Sequence, residues 1–233
     1  MSSVLIVESK NDEAFIRALV EHMNLRDIQF DEPICSIGDY ECLEGLNLKK
    51  LILALDFLKS RLPLEDITSI GIILDHDGQR EKRIELINTA INEVFEAAGQ
   101  ISDTGKFVPV SAMIDGEITG LKLACFLTHV DEKGELETIL KAIKAKPSPY
   151  ADCLEAWKAC LKDAGKDMSD KNFDKFWLDN YIRFDTCSRK EKKQAGRKCS
   201  MRHFDYIMKN KRNIWNFDHP VLEDFKAFLG LFR

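Results

Sequence analysis

Two carboxylates, Asp75 and Asp77, end the apolar run of the stretch "IGIILDHDGQREKRIEL", residues 70–86. A carboxylate at the end of a buried run is costly to hold without a partner. Other acids follow other apolar runs. Glu8 directly follows "VLIV", and Asp12 stands one helical turn later. Asp131 and Glu132 follow "LKLACFLTH", and Glu135 and Glu137 open the segment beyond it. Carboxylates gathered together repel one another, and a hard divalent cation between their oxygens relieves that repulsion. Mg2+ accepts one or two carboxylates together with waters and a substrate phosphate, and Mn2+ suits the same ligands. Two such ions about 3.5 to 4 Å apart stabilise both the attacking and the leaving oxygen of phosphodiester cleavage. Each acid alone has a plainer role, as a first-turn partner of a helix dipole or a strand-end cap. Their joint placement is what points to a site.

The elements that would position these acids are legible from periodicity. "VLIV" reads as a short buried parallel strand, followed by a helix with Phe15, Leu19 and Met23 on one stripe. "IQFDEPICSIGD" reads as a second strand, and "LKKLILALDFLKS" as a helix ended by Pro63. "ITSIGIILD" is the third and most apolar strand, followed by a long amphipathic helix, "QREKRIELINTAINEVFEAAG", closed at Gly99. "KFVPVSAMI" and "LKLACFLTH" are two more strands around a turn at 116–120, and "GELETILKAIKA" is the next helix. Strands alternating with helices predict an α/β fold: a mostly parallel sheet flanked by helices. After Pro147 and Pro149 only helical patterns follow. The division expected is an α/β core over 1–146 and a helical C-terminal extension over 147–233. Ligands of such open sheets bind beyond the carboxyl ends of the strands, where Glu8 and Asp75 fall.

The bulk composition is that of a globular chain: 233 residues, 45% hydrophobic and 31% charged. No apolar run is long enough for a signal peptide or a membrane span, so a cytoplasmic protein without membrane attachment is expected. Seven cysteines at wide spacing, with no CxxC, read as small core hydrophobes in a reducing compartment. The net charge of −5 is uneven. Between Ser188 and Asn213 ten basic residues face only Glu191 and Asp205, an excess of eight positive charges on an otherwise acidic chain. Arg189, Lys190, Lys192, Lys193, Arg197, Lys198 and Arg202 are the candidates for neutralising backbone phosphates of nucleic acid. Tyr206, Trp215 and Phe217 lie close enough in sequence to offer base stacking, although aromatics at helical spacing are more often core.

Together the motifs resemble a Toprim domain. Its first motif, a Glu after an apolar strand, is matched by "VLIVESKNDEAFIRAL" with Glu8. Its DxD motif is matched by "IILDHDG" with Asp75 and Asp77. The nearer resemblance is to the Toprim nuclease part of OLD-family (overcoming lysogenisation defect) proteins, and nearest to their small standalone relatives of unknown function. "VESKND" resembles the opening "VEGxxD", with Ser9 for Gly and Asp12 as second acid, and "GELETIL" resembles a later acidic motif through Glu135 and Glu137. The resemblance implies a hydrolase: metal-dependent cleavage of nucleic acid, DNA or RNA, with DNA the first expectation. It implies Glu8 as acid/base or ligand, Asp75 and Asp77 on Mg2+ (or Mn2+), and Asp12, Glu135 and Glu137 completing a second metal site. It also implies a lysine near the transferred phosphate, for which Lys198 is one candidate. A homodimer fits that family. No GxxxxGK[ST] loop occurs, so an ATPase half would come from a separate partner chain.

Two other readings compete. The resemblance can belong to a degenerate Toprim fold that binds or regulates without catalysis. "IILDHDGQ" also resembles the first motif of haloacid-dehalogenase-like phosphatases, with Asp75 as nucleophile, Asp77 as acid/base and Ser111 as second motif. That motif's usual Thr or Val is Gln79 here, and Glu8 would have no role.

Overall fold

The computed structural model describes residues 2–35, 46–131, 134–193 and 198–233. It is a mixed α/β structure with a six-stranded, mostly parallel sheet and a helical C-terminal region. The chain divides into two compact units. The first comprises Met1–Thr128 with Glu223–Arg233, and the second His129–Leu222. The division therefore falls after Thr128 rather than near 146, and the final segment counts with the first unit.

In the first unit the strands are β1 (Ser2–Val7), β2 (Ile28–Phe30), β3 (Ile67–Asp75), β4 (Ala97–Ala98), β5 (Val108–Ile114) and β6 (Glu117–Thr128). Their order is β2-β1-β3-β6-β5-β4. β1 is parallel to β2 and β3, and β3 to β6, while β5 and β4 add antiparallel pairings at one edge. β1 enters the sheet between a strand that follows it directly and one that returns from the other side. That reversal of order is the switch point at which open α/β sheets form a crevice.

Alternation along the central strands serves both faces of the sheet. Val4, Ile6, Ile70, Ile72 and Leu74 join one core cluster with helices α2 (Leu48–Arg61) and α3 (Arg80–Val94), through Leu51, Leu55, Leu58, Ile87 and Ile91. Each such buried aliphatic contributes roughly 1.5–3 kcal/mol, so Leu55→Ala would cost about 2–5 kcal/mol. Phe126 of β6 stacks on Phe225 of the C-terminal helix Glu223–Gly230, with ring centroids 4.6 Å apart, and Phe15 of α1 (Lys10–His22) packs on the same ring at 6.1 Å. This aromatic contact is why "HPVLEDFKAFLGLF" ends as part of the first unit.

Three local expectations change. β2 is only three residues long; Cys35 makes an isolated parallel bridge with Ser9, and the rest of the expected strand, from residue 36 on, lies outside the described residues. α3 stops at Val94, and Phe95 turns extended (φ −104°, ψ 143°), because the chain must join the sheet edge as β4. Gly99 follows that strand and does not close the helix. The β5–β6 turn is a two-residue hairpin at Asp115 and Gly116, both at positive φ, so β6 begins at Glu117 and runs through Gly120. Positive φ at both central residues is the geometry that Asp-Gly favours.

The second unit contains α4 (Leu136–Ala142), α5 (Pro149–Asp163) and α6 (Asp170–Asn180), followed by a π-helical turn, Tyr181–Asp185. The amide of Thr186 donates to the Tyr181 carbonyl at 3.1 Å. Its core is aromatic. Trp177 stacks on Tyr181 at 5.3 Å, and Tyr181 packs against Trp215 at 5.5 Å. The Tyr181 hydroxyl donates to the Ile214 carbonyl (2.8 Å) and accepts from the Lys146 amide (3.1 Å). Trp215 and Phe217 are buried, so neither is a surface for base stacking. Cys187 and Cys199 form a disulfide across twelve positions, which corrects the expectation that every cysteine is a free core thiol. Cys125, Cys153 and Cys160 are free, the last two exposed; Cys42 lies outside the described residues.

Candidate functional site

The carboxyl ends of β1 and β3 bring Glu8 to Asp75. Val7 pairs with Ile73, so the next residue of β1 comes level with the end of β3. A Glu8 carboxylate oxygen accepts the Asp75 backbone N–H at 3.2 Å. Asp75 pairs with Thr128 across the β3–β6 ladder, and the Thr128 hydroxyl donates to Asp75 Oδ1 at 2.7 Å. Thr128 itself is buried. Sequence reading misses Thr128; its only trace is a polar residue closing the apolar run of β6.

Beyond Asp75 the chain turns sharply. The Gln79 amide donates to the His76 carbonyl at 3.0 Å, with Asp77 and Gly78 both at positive φ (50° and 66°). His76 is buried; its Nδ1 accepts the Gly78 amide at 3.1 Å, and its own amide donates to the Thr128 carbonyl at 3.2 Å. The turn re-aims Asp77, whose carboxylate is ion-paired and hydrogen-bonded with the Arg83 guanidinium in the first turn of α3. Asp77 and Arg83 are both largely buried side chains. The expected DxD pair is thus split between two environments.

Asp12 also has local work. Ser9 caps α1, and Asp12 closes the capping box: its Oδ2 accepts the Ser9 amide at 2.9 Å and the Ser9 hydroxyl at 2.5 Å. The Ser9 hydroxyl oxygen in turn accepts the Asp12 amide at 3.3 Å, so two otherwise orphaned backbone donors of the helix start are satisfied. Serine, where the resembled opening motif has glycine, therefore has a structural reason.

Glu135 and Glu137 belong to the second compact unit. Glu135 is buried, ion-paired with Lys171 at 2.9 Å and within 3.7 Å of Lys175. Burial pushes the Glu137 carboxyl above the usual range; Lys175 and Lys171 pull it back and Glu135 pushes it further up. The neighbouring Asp174 accepts from the Thr138 hydroxyl and the Lys141 ammonium, each at 3.0 Å. Asp131 also lies in the second unit, at positive φ (51°), and Glu132 lies outside the described residues.

In the basic tract, Arg189, Lys190, Lys193 and Arg202 are exposed, and Arg197 lies outside the described residues. The Lys192 ammonium donates to the Phe184 carbonyl at 3.1 Å. The Lys198 ammonium sits 5.5 Å over the Tyr206 ring. Glu191 is held down to about pKa 2, chiefly by the backbone amide and hydroxyl of Ser188, whose helix it caps, and then by the Lys211 ammonium at 3.1 Å.

Among the described residues, no three His, Cys, Asp or Glu side chains gather as a metal-binding group. The donor types still match one Mg2+ ion, which takes as few as one or two carboxylates. Glu8 and Asp75 are such a pair. Asp12 is engaged in its capping box and Asp77 in its ion pair with Arg83. Ser111 does not stand beside Asp75. It pairs with Gly120, eight residues up β6 from Thr128, or about 26 Å at the strand rise. The phosphatase reading therefore has no second motif at this site.

The sequence model of a family described as "Protein of unknown function (DUF3226)" matches residues 2–232. Neither the curated proteins nor the solved structures contain a match to the chain. Among the described residues, no helix is long and apolar enough to cross a membrane.

Proposed function

The chain belongs to this family of unknown function, and from its own residues we propose that it is a divalent-metal-dependent nuclease acting at the carboxyl ends of β1 and β3. One observation carries the proposal: the Glu8 carboxylate rests on the Asp75 backbone at the switch point of a parallel sheet. That is where open α/β sheets bind ligands, and two acids there match the donor set of Mg2+ or Mn2+. The motif order, which resembles that of Toprim and OLD-family nucleases, supports the same reading. When bound, such an ion polarises a phosphodiester and lowers the pKa of its water. The chain's own part is to hold it: Glu8 and Asp75 as ligands, and the Thr128 hydroxyl fixing the orientation of Asp75. Arg83 neutralises Asp77 and keeps a third carboxylate's repulsion away from that pair.

The substrate in this reading is nucleic acid, DNA before RNA, with the basic tract meeting backbone phosphates. A homodimer and a separate ATPase partner belong to the same proposal through the family resemblance. So does a cytoplasmic setting, which the exposed free thiols of Cys153 and Cys160 favour and the Cys187–Cys199 disulfide opposes.

The test is cleavage of supercoiled plasmid and of labelled oligonucleotides in Mg2+ or Mn2+, with EDTA as control, alongside a thermal shift with Mn2+ alone. Glu8→Gln and Asp75→Asn should each abolish the Mn2+ shift and lower cleavage at least about 100-fold. If the intact chain shows neither shift nor cleavage, the second reading takes over: a binding or regulatory module on the same fold. The Arg83 ion pair at Asp77 is the observation that favours it.

A further inference from the structure

Trp215 and Phe217 are core, but the second unit exposes a different aromatic pair. Tyr150 is 63% exposed and Phe184 41% exposed, at 6.0 Å between ring centroids. They come from the first turn of α5 and from the π-helical turn. That turn buries Tyr181 and Ile182 and leaves Arg183 and Phe184 outside. Cations interleave with the rings. The Lys192 ammonium lies 5.5 Å over Phe184 and 6.0 Å over Tyr150, and the Arg183 guanidinium 5.6 Å over Phe184. Arg189, Lys190 and Lys193 follow on the same short segment, exposed.

The acids of this surface are spent internally. Both carboxylate oxygens of Asp185 accept amides of the α5 first turn, from Tyr150 and Ala151, each at 3.0 Å. Glu191 is committed to Ser188 and Lys211. The patch therefore offers cations set against two exposed rings. Duplex phosphates would need the charge alone. Exposed aromatic faces matched with cations are the chemistry that stacks unpaired bases while neutralising their backbone.

We propose that Tyr150 and Phe184, with Arg183 and Lys192, form a stacking platform for single-stranded nucleic acid. This rests on the nuclease reading for its biological sense and names the form of substrate it takes. Acidic protein segments, the other partner of a basic patch, would use the charge and gain little from the rings.

The experiment is fluorescence anisotropy in EDTA, with the full chain, a labelled oligothymidylate of about 15 nucleotides and a duplex of equal length. The single strand should bind more tightly. Tyr150→Ala and Phe184→Ala should each weaken it about 5- to 100-fold with an unchanged salt slope. Tyr150→Phe and Phe184→Tyr should retain binding, and Lys192→Ala should lower the slope of log affinity against log salt by about 0.7. Equal binding by the alanine variants, preference for the duplex, or displacement by polyglutamate of equal charge would each overturn the platform. Because EDTA removes metal, the two readings fail separately. Binding without metal-dependent cleavage sinks the nuclease, whereas cleavage with unaltered alanine variants sinks the platform.

Discussion

Glu8 and Asp75, sixty-seven positions apart in the chain, meet through a hydrogen bond of 3.2 Å from the Asp75 amide to the Glu8 carboxylate. Neither residue is placed by its own neighbours. β1 and β3 bring them level, and Thr128 from a third strand completes the group with a 2.7 Å bond to Asp75.

Thr128→Val keeps the shape of that side chain and removes the donor to a carboxylate. It should cost about 1.5–3 kcal/mol in denaturant unfolding. Under the metal reading it should also raise the Mn2+ concentration needed for the thermal shift about 10- to 100-fold, with Thr128→Ser close to wild type. A destabilised variant with an unaltered Mn2+ response would limit Thr128 to the fold.

Asp77 separates turn chemistry from metal chemistry. Its φ of 50° suits Asp, Asn or Gly and strains Ala by roughly 1–2 kcal/mol. The expected stability order is Asp77→Asn or Asp77→Gly above Asp77→Ala, with all three below wild type through loss of Arg83's partner. The Mn2+ shift should survive in Asp77→Asn. Its loss there would return Asp77 to the metal site.

Two glutamates predict opposite pH behaviour. The Glu137 carboxyl is raised, so the unfolded chain ionises first and stability falls as pH climbs from about 4.5 through the higher folded value. Glu137→Gln should raise Tm at pH 7 and leave it unchanged at pH 4. Glu191 is lowered to about 2, so its contribution is complete above 4.5 and lost as pH falls from there to about 2. About a third of its side chain is exposed, which holds the contribution to the order of 1 kcal/mol. The Tm deficit of Glu191→Gln at pH 7 should therefore shrink on acidification towards pH 2.5.

The thiols divide by burial. Native alkylation should label Cys153 and Cys160 and spare Cys125, whose thiol burial pushes up to about 12. Replacing Cys187 and Cys199 together by serine should cost about 3 kcal/mol, the loop-closure value for a separation of this size. No change in the unfolding midpoint under reductant would show that the pair is not oxidised in solution.

The sequence by itself determined the elements. Runs of period two and stripes of period 3.6 place β1, α1, α2 and β3 almost to the residue, because burial on a sheet or a helix face needs only local order. Glu8 and Asp75 were legible for the same reason, as acids ending apolar strands. Tertiary structure decided which acids meet. It brought Thr128 to Asp75 through strand register, gave Asp77 to Arg83 through a left-handed turn, and left Glu135 and Glu137 in the second unit. It likewise buried Trp215 and exposed Tyr150 and Phe184, residues equally aromatic in the sequence. Contacts of this kind depend on where distant segments return, and no local periodicity records that return.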